Sequence, residues 1–232
     1  MRVETTLSAL AAQLRPSRPG PLVPVLPALH DLLPERGLRP GTVVSVGGDT
    51  SLMLALAAAA TTAGTWCAAV GLQGLGLVAA AELGVALDRL LLAENPGERW
   101  PEVATALADA VGIMLLRPTG TVAGPLAARL PAVARRTGCA LVVAGPWPGA
   151  QVRLDVVDRS WVGVGQGRGR LRARRITVAS GGRGAAAVGR QTQLWLPDAD
   201  GAIRRAGPAH RAAGVPAQAR YAAAERGPLA VV

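Results

Sequence analysis

With 232 residues the chain has room for one sizeable α/β core, and its net charge of +10 comes from 25 basic residues that are all arginine. The absence of lysine excludes a phosphate loop of the form G-x-x-x-x-G-K-[ST], whose chemistry depends on an ammonium at the β- and γ-phosphates. Cys67 and Cys139 lie in separate apolar runs without C-x-x-C spacing, and His30 and His210 lack companion ligands, so neither a metal nor another cofactor is expected.

Residues 4 to 14 place Leu7, Leu10, Ala11 and Leu14 at helical spacing ahead of Pro16 and predict a short amphipathic helix. No signal peptide is read in this stretch. Residues 15 to 28 contain five prolines, so residues 1 to 28 are expected to form an N-terminal helix and an extended arm. A second short helix over 28 to 33 stops at Pro34, and the turn from Arg36 to Gly41 leads into a β-branched strand over 42 to 46. Residues 50 to 81 carry no charge, which is long enough to cross a bilayer as one helix. Gly64, Gly71, Gly74 and Gly76 interrupt that stretch, so a buried helix over 50 to 63 followed by a strand over 66 to 70 is expected, with no membrane contact.

The alternation continues with a helix over 75 to 83, a strand over 89 to 93, and a helix over 98 to 110. A strand over 113 to 116, a helix over 122 to 136 despite Pro125 and Pro131, and a strand over 140 to 144 complete it. Continuous apolar strands separated by helices predict a mainly parallel sheet covered on both faces, and the cysteines inside those runs read as reduced core residues of a cytoplasmic protein. From residue 151 the rhythm changes. Strands over 160 to 164 and 171 to 178, joined by a Gly-rich turn, predict an antiparallel hairpin at 160 to 178, and residues 193 to 196 a further short strand. The core is expected to span 29 to 206, followed by a flexible Arg/Ala/Pro-rich tail over 207 to 232.

The strand over 42 to 46 runs into Gly47, Gly48, Asp49, Thr50 and Ser51, where a phosphate loop would lie. Aligned without a gap, Leu52 takes the second glycine's place, Met53 the lysine's and Leu54 the hydroxyl's; with a gap that aligns Thr50 and Ser51 as hydroxyls, Asp49 replaces the lysine. Either alignment removes the phosphate-neutralising charge. Asp49 also reads as a helix N-cap, which puts a carboxylate on the positive helix end where a phosphate would sit.

The stretch from Leu29 to Gly48, with Leu29-His30-Asp31 and Gly37-Leu38-Arg39-Pro40-Gly41, resembles the lead of the RecA family into its first core strand. Gly64 to Gln73 is similar to the strand that ends in that family's catalytic Asp-Ala-Glu, with Gln73 on the glutamate. Leu83 to Leu92 resembles the following leucine-glycine and Leu-Leu stretch, and Val111 to Arg117 the Walker B strand, with Arg117 on the metal-holding aspartate. The resemblance covers about residues 29 to 145 and implies a RecA-like core. It also implies that Gly47, Gly48, Asp49, Thr50, Ser51, Met53, Gln73 and Arg117 mark a degenerate nucleotide site, because an amide is no general base and a guanidinium holds no magnesium. The chain is therefore expected not to be an enzyme.

Within the superfamily the chain resembles ImuA-like proteins, including the ImuA-prime type. This resemblance implies a non-catalytic adaptor in damage-induced, error-prone translesion synthesis, with an ImuB-like Y-family polymerase homologue and an error-prone C-family polymerase as partners. A SulA-like division inhibitor binding a tubulin-like protein, and a divergent RecA-like ATPase or DNA-binding protein, are the alternatives.

Basic charge concentrates after residue 150, where 14 arginines face five acids, against 11 and ten before it. Arg168, Arg170, Arg172 and Arg174 alternate along the predicted hairpin and would point to one face, with Arg175 breaking the pattern. The stripe suits weak non-specific DNA binding or an acidic protein partner, and equally a charge-protected edge strand. Trp161 and Trp195 read as core anchors.

Overall fold

The computed structural model describes residues 21–120, 122, 124–165 and 168–207; the predicted helix over 4 to 14 and nearly all of the predicted tail lie outside the described residues. In chain order the strands are β1 (Val23–Pro24), β2 (Gly37–Leu38), β3 (Val43–Gly47), β4 (Cys67–Val70), β5 (Leu90–Ala93), β6 (Ile113–Leu116), β7 (Ala140–Ala144), β8 (Val152–Gly165), β9 (Arg168–Gly182), β10 (Arg190–Trp195) and β11 (Arg204–Arg205). The helices are α1 (Thr50–Thr62), α2 (Leu77–Glu82), α3 (Trp100–Ala108) and α4 (Gly124–Thr137). Nine strands form one sheet in the order β11-β10-β9-β8-β3-β7-β6-β4-β5, and β1 and β2 make a separate pair.

From β8 to β5 neighbouring strands run parallel, each crossover carrying a helix or turn over a face. The reason lies in the residue choice: β4, β6 and β7 hold only apolar residues, so alternate side chains can be buried on opposite faces. Ile113 and Leu115 of β6 join one core with Leu52, Met53 and Leu56 of α1. Met114 and Leu116 join the other, with Trp100 of α3 and Leu130 of α4. Each fully buried leucine contributes on the order of 1.5–3 kcal/mol. α1 lacks an amphipathic stripe because the sheet covers one side and Leu29, Leu32 and Leu33, in and just after the 3₁₀ turn Pro27–Leu32, join the same core. Burial pushes the Cys67 thiol up to about 12 and raises the Cys139 thiol as well, so both stay protonated as small hydrophobes.

The uncharged stretch 50 to 81 folds as α1, β4 and the start of α2, and no described helix is long and apolar enough to cross a membrane. Two expectations are corrected. The end of the predicted arm is strand β1, paired through Val23 with Leu38. The hairpin also exceeds 160 to 178, because β8 starts at Val152 alongside β3 and pairs with β9 as far as Gly182. Arg153, Asp155 and Asp158 break the apolar run there, so the strand is set by its neighbours rather than by its own pattern.

Candidate functional site

The parallel strands β3, β4 and β6 end on one edge of the sheet, and the turns that follow them bring distant residues together. After β3, Gly48 adopts a left-handed backbone at φ +60, and Asp49 caps α1. One oxygen of Asp49 accepts the Leu52 N–H at 2.9 Å, as N-cap chemistry requires. Its other oxygen accepts from the Arg174 guanidinium in a buried ion pair. Arg174 lies over the Trp161 ring, 5.8 Å from its centroid. The Arg174 backbone is held too: its N–H donates to the Pro197 carbonyl at 2.8 Å, and its carbonyl accepts the Leu196 N–H at 2.7 Å.

Met53 points into the core, fully buried, so the position that a lysine would occupy in the ungapped alignment does not face the turn at all. Arg117, at the end of β6, donates from its guanidinium to the Thr50 hydroxyl at 2.7 Å and makes no ion pair among the described residues. Gln73 is exposed just past β4. Thr50, Ser51, Gln73 and Arg117 rim one open cleft of about 260 Å³ that Leu54 and Leu72 also line. Of the residues singled out in the sequence, these four come together, while Asp49 turns inward to Arg174 and Met53 into the core. The cleft offers a guanidinium and hydroxyls, and the Asp49 carboxylate on the neighbouring turn is already committed to the cap and to Arg174.

The arginine stripe is corrected in one member. Arg170 and Arg172 are exposed and Arg175 is half-buried, but Arg174 is buried against Asp49; the Arg168 side chain lies outside the described residues. Arg174, Ile176 and Val178 are two apart on β9, so the alternation that aligned the arginines also put Arg174 on the face that enters the core. A bulge opposite Gly163 separates it from Arg170 and Arg172. Gly163 has φ +117, and a Cβ there would lie 3.0 Å from the Arg172 nitrogen, so this crossing requires glycine. Trp161 is exposed at the ribbon surface rather than in the core, whereas Trp195 is half-buried. The Asp49–Arg174 pair was not anticipated; the legible half of its signal was the charge of Arg174 placed in register with Ile176.

The family described as the MT3502 N-terminal domain matches residues 31–149, half of the chain. The chain belongs to this family. The MT3502 N-terminal domain therefore covers β2 through β7 and the whole cleft rim, and ends before β8. An uncharacterized protein of Mycobacterium tuberculosis, Rv3395c, is 40% identical over 141 residues, covering 60% of this chain and 65% of the relative, so the chain spans less than two thirds of that relative's length. Among solved structures, the RadB recombinase is similar at a TM-score of 0.55 and 14% identity, over 78% of this chain and 97% of that one. The flagellar accessory protein FlaH from Methanocaldococcus jannaschii is similar at 0.53 and 12% identity, over 81% of this chain and 100% of that one. At these identities the likeness establishes the fold, and the fold of this MT3502-family protein is RecA-like with a C-terminal antiparallel extension.

Proposed function

We propose that the protein is a non-catalytic RecA-like adaptor that supports damage-induced, error-prone translesion synthesis in the cytoplasm by binding polymerase-family partners. The observation that carries the non-catalytic part is the Asp49 carboxylate on the α1 N-terminus, capped onto Leu52 and tied to Arg174. A triphosphate placed on that turn would meet a carboxylate where the loop chemistry needs an ammonium. Arg117 adds to this, because a guanidinium bonded to Thr50 stands where a magnesium-holding carboxylate would be needed. The adaptor part is supported by the resemblance to ImuA-like proteins in the order of a RecA-like core, a basic hairpin and an Arg-rich tail.

Two measurements test the reading. Titration of the purified protein with a fluorescent ATP analogue and magnesium is expected to give no saturable signal, and a magnesium-dependent complex of micromolar affinity would remove the non-catalytic assignment. Co-purification with the Y-family polymerase homologue encoded by the same organism is expected to be stoichiometric, and failure of the two purified proteins to associate would remove the adaptor assignment.

A further inference from the structure

The β8–β9 ribbon leaves the body of the sheet. β8 pairs with β3 only as far as Asp155, and β9 pairs with β10 only from Arg175 onward, with Arg174 bonded to Leu196 and Pro197. From Val156 to Gly165 on one strand, and from Arg168 to Ala173 on the other, neither outer edge has a neighbouring strand among the described residues. A bare two-stranded ribbon is marginal in water, yet this one carries Val157, Trp161, Val162, Val164 and Leu171, each between 39% and 56% exposed. Five of the eleven exposed large hydrophobics among the described residues fall in this one tip. Such clustering marks an interaction surface rather than scattered surface residues.

The register sorts the tip into two faces. Arg159 pairs with Ile176 and Trp161 with Arg174, so Arg159 and Trp161 share the face that carries the guanidinium stack. Val162 pairs with Ala173 on the opposite face, and Val164 lies beyond the irregularity at Gly163, where it pairs with Gly169. The β8 edge therefore offers unpaired backbone groups with arginine on one side and valine on the other. Arg159, Arg170 and Arg172 are exposed and make no ion pair among the described residues.

We propose that the tip of the β8–β9 ribbon is a docking edge for an extended polypeptide segment of a partner in which acidic and aliphatic side chains alternate. A strand added along the edge from Asp158 to Val162 would continue the period of two, laying an acid beside Arg159 and an aliphatic beside Val162, and Val164, past the bulge, extends the apolar surface. Nucleic acid accounts for less of what is present: phosphates would use the arginines and a base could stack on Trp161, but Val157, Val162, Val164 and Leu171 would gain nothing. Trp and Arg together are also the side chains that most often dominate protein interfaces. The proposal deepens the adaptor reading by naming the surface and the chemistry of the partner.

The test uses the full chain and labelled synthetic peptides of about ten residues, enough to span the free edge at roughly 3.3 Å per residue. One alternates Leu and Glu, one Ser and Glu, one Leu and Lys, and oligothymidylate is a fourth probe. Fluorescence anisotropy is expected to show the Leu/Glu peptide binding at least about tenfold more tightly than the other three. Val162→Ser with Val164→Ser, and separately Arg159→Ala with Arg172→Ala, are each expected to remove about tenfold of that affinity at unchanged melting temperature. Absence of Leu/Glu binding, equal binding of Ser/Glu, tighter binding of oligothymidylate, or affinity unmoved by both double variants overturns the proposal. A failed polymerase co-purification with intact peptide binding counts against the adaptor reading alone, and lost peptide binding with intact co-purification counts against the ribbon alone.

Discussion

The five strands from β3 to β5 and the four from β8 to β11 belong to one sheet but are specified by different physics. In the first group β4, β6 and β7 are apolar throughout and buried on both faces, with little to distinguish one neighbour from the next except the length of each crossover. The second group is joined to the first by β8 beside β3, by Leu154, Ile176 and Val178 in the core shared with α1, and by the charged pair of Asp49 with Arg174, while Arg205 pairs with Asp31. In the parallel half a side chain's role follows from burial; in the antiparallel half it follows from a partner far away in sequence. The same residue type can then be surface in one place and interior in another, as Arg172 and Arg174 are on one strand.

Substitutions that carry a charge across that divide should have the largest effects. Met53→Lys, which puts a lysine at the position the ungapped alignment assigns to it, is expected to unfold the protein or cost several kcal/mol without creating ATP binding, because the ammonium would enter a closed core. Urea denaturation and ATP-analogue titration check the two halves of that statement. Arg174→Ala leaves a buried carboxylate uncompensated and is expected to cost about 3–5 kcal/mol. Asp49→Asn combined with Arg174→Leu should recover part of this loss, and a purely additive double variant would show that the two residues are not coupled. Arg117→Ala removes one exposed hydrogen bond to Thr50 and is expected to cost about 1 kcal/mol or less. Val164→Ser on the ribbon should change stability by no more than about 0.5 kcal/mol, since that side chain is more than half exposed. Cys67 and Cys139 should resist thiol reagents until denaturant is added, because burial keeps both protonated and out of reach.

The two halves also differed in how far they could be read. The strands over 113 to 116 and 140 to 144 match β6 and β7 residue for residue, because an uninterrupted apolar run between helices leaves no other placement. Asp49 was legible as a cap because N-capping is local chemistry, and Gln73 and Arg117 were placed at the strand ends because element order carried them there. β1, β2 and β11 were not legible, being two residues each and defined only by their partners. The start of β8 was missed because Arg153, Asp155 and Asp158 interrupt its apolar pattern, while pairing with β3 fixes it regardless. The role of Arg174 needed a register, and register is a property of two strands.

Asp49 and Arg174 stand 125 residues apart, and the family match stops between them, at residue 149. The matched stretch therefore does not contain the partner of its own buried carboxylate. A fragment trimmed to 31–149 would keep the five parallel strands, yet it would bare the edge of β3 and strip the Asp49 carboxylate of its counter-charge. A ribosome building this chain faces the same gap: the first half cannot close its own seam, and it must wait for the second half to be translated before the seam can be sealed.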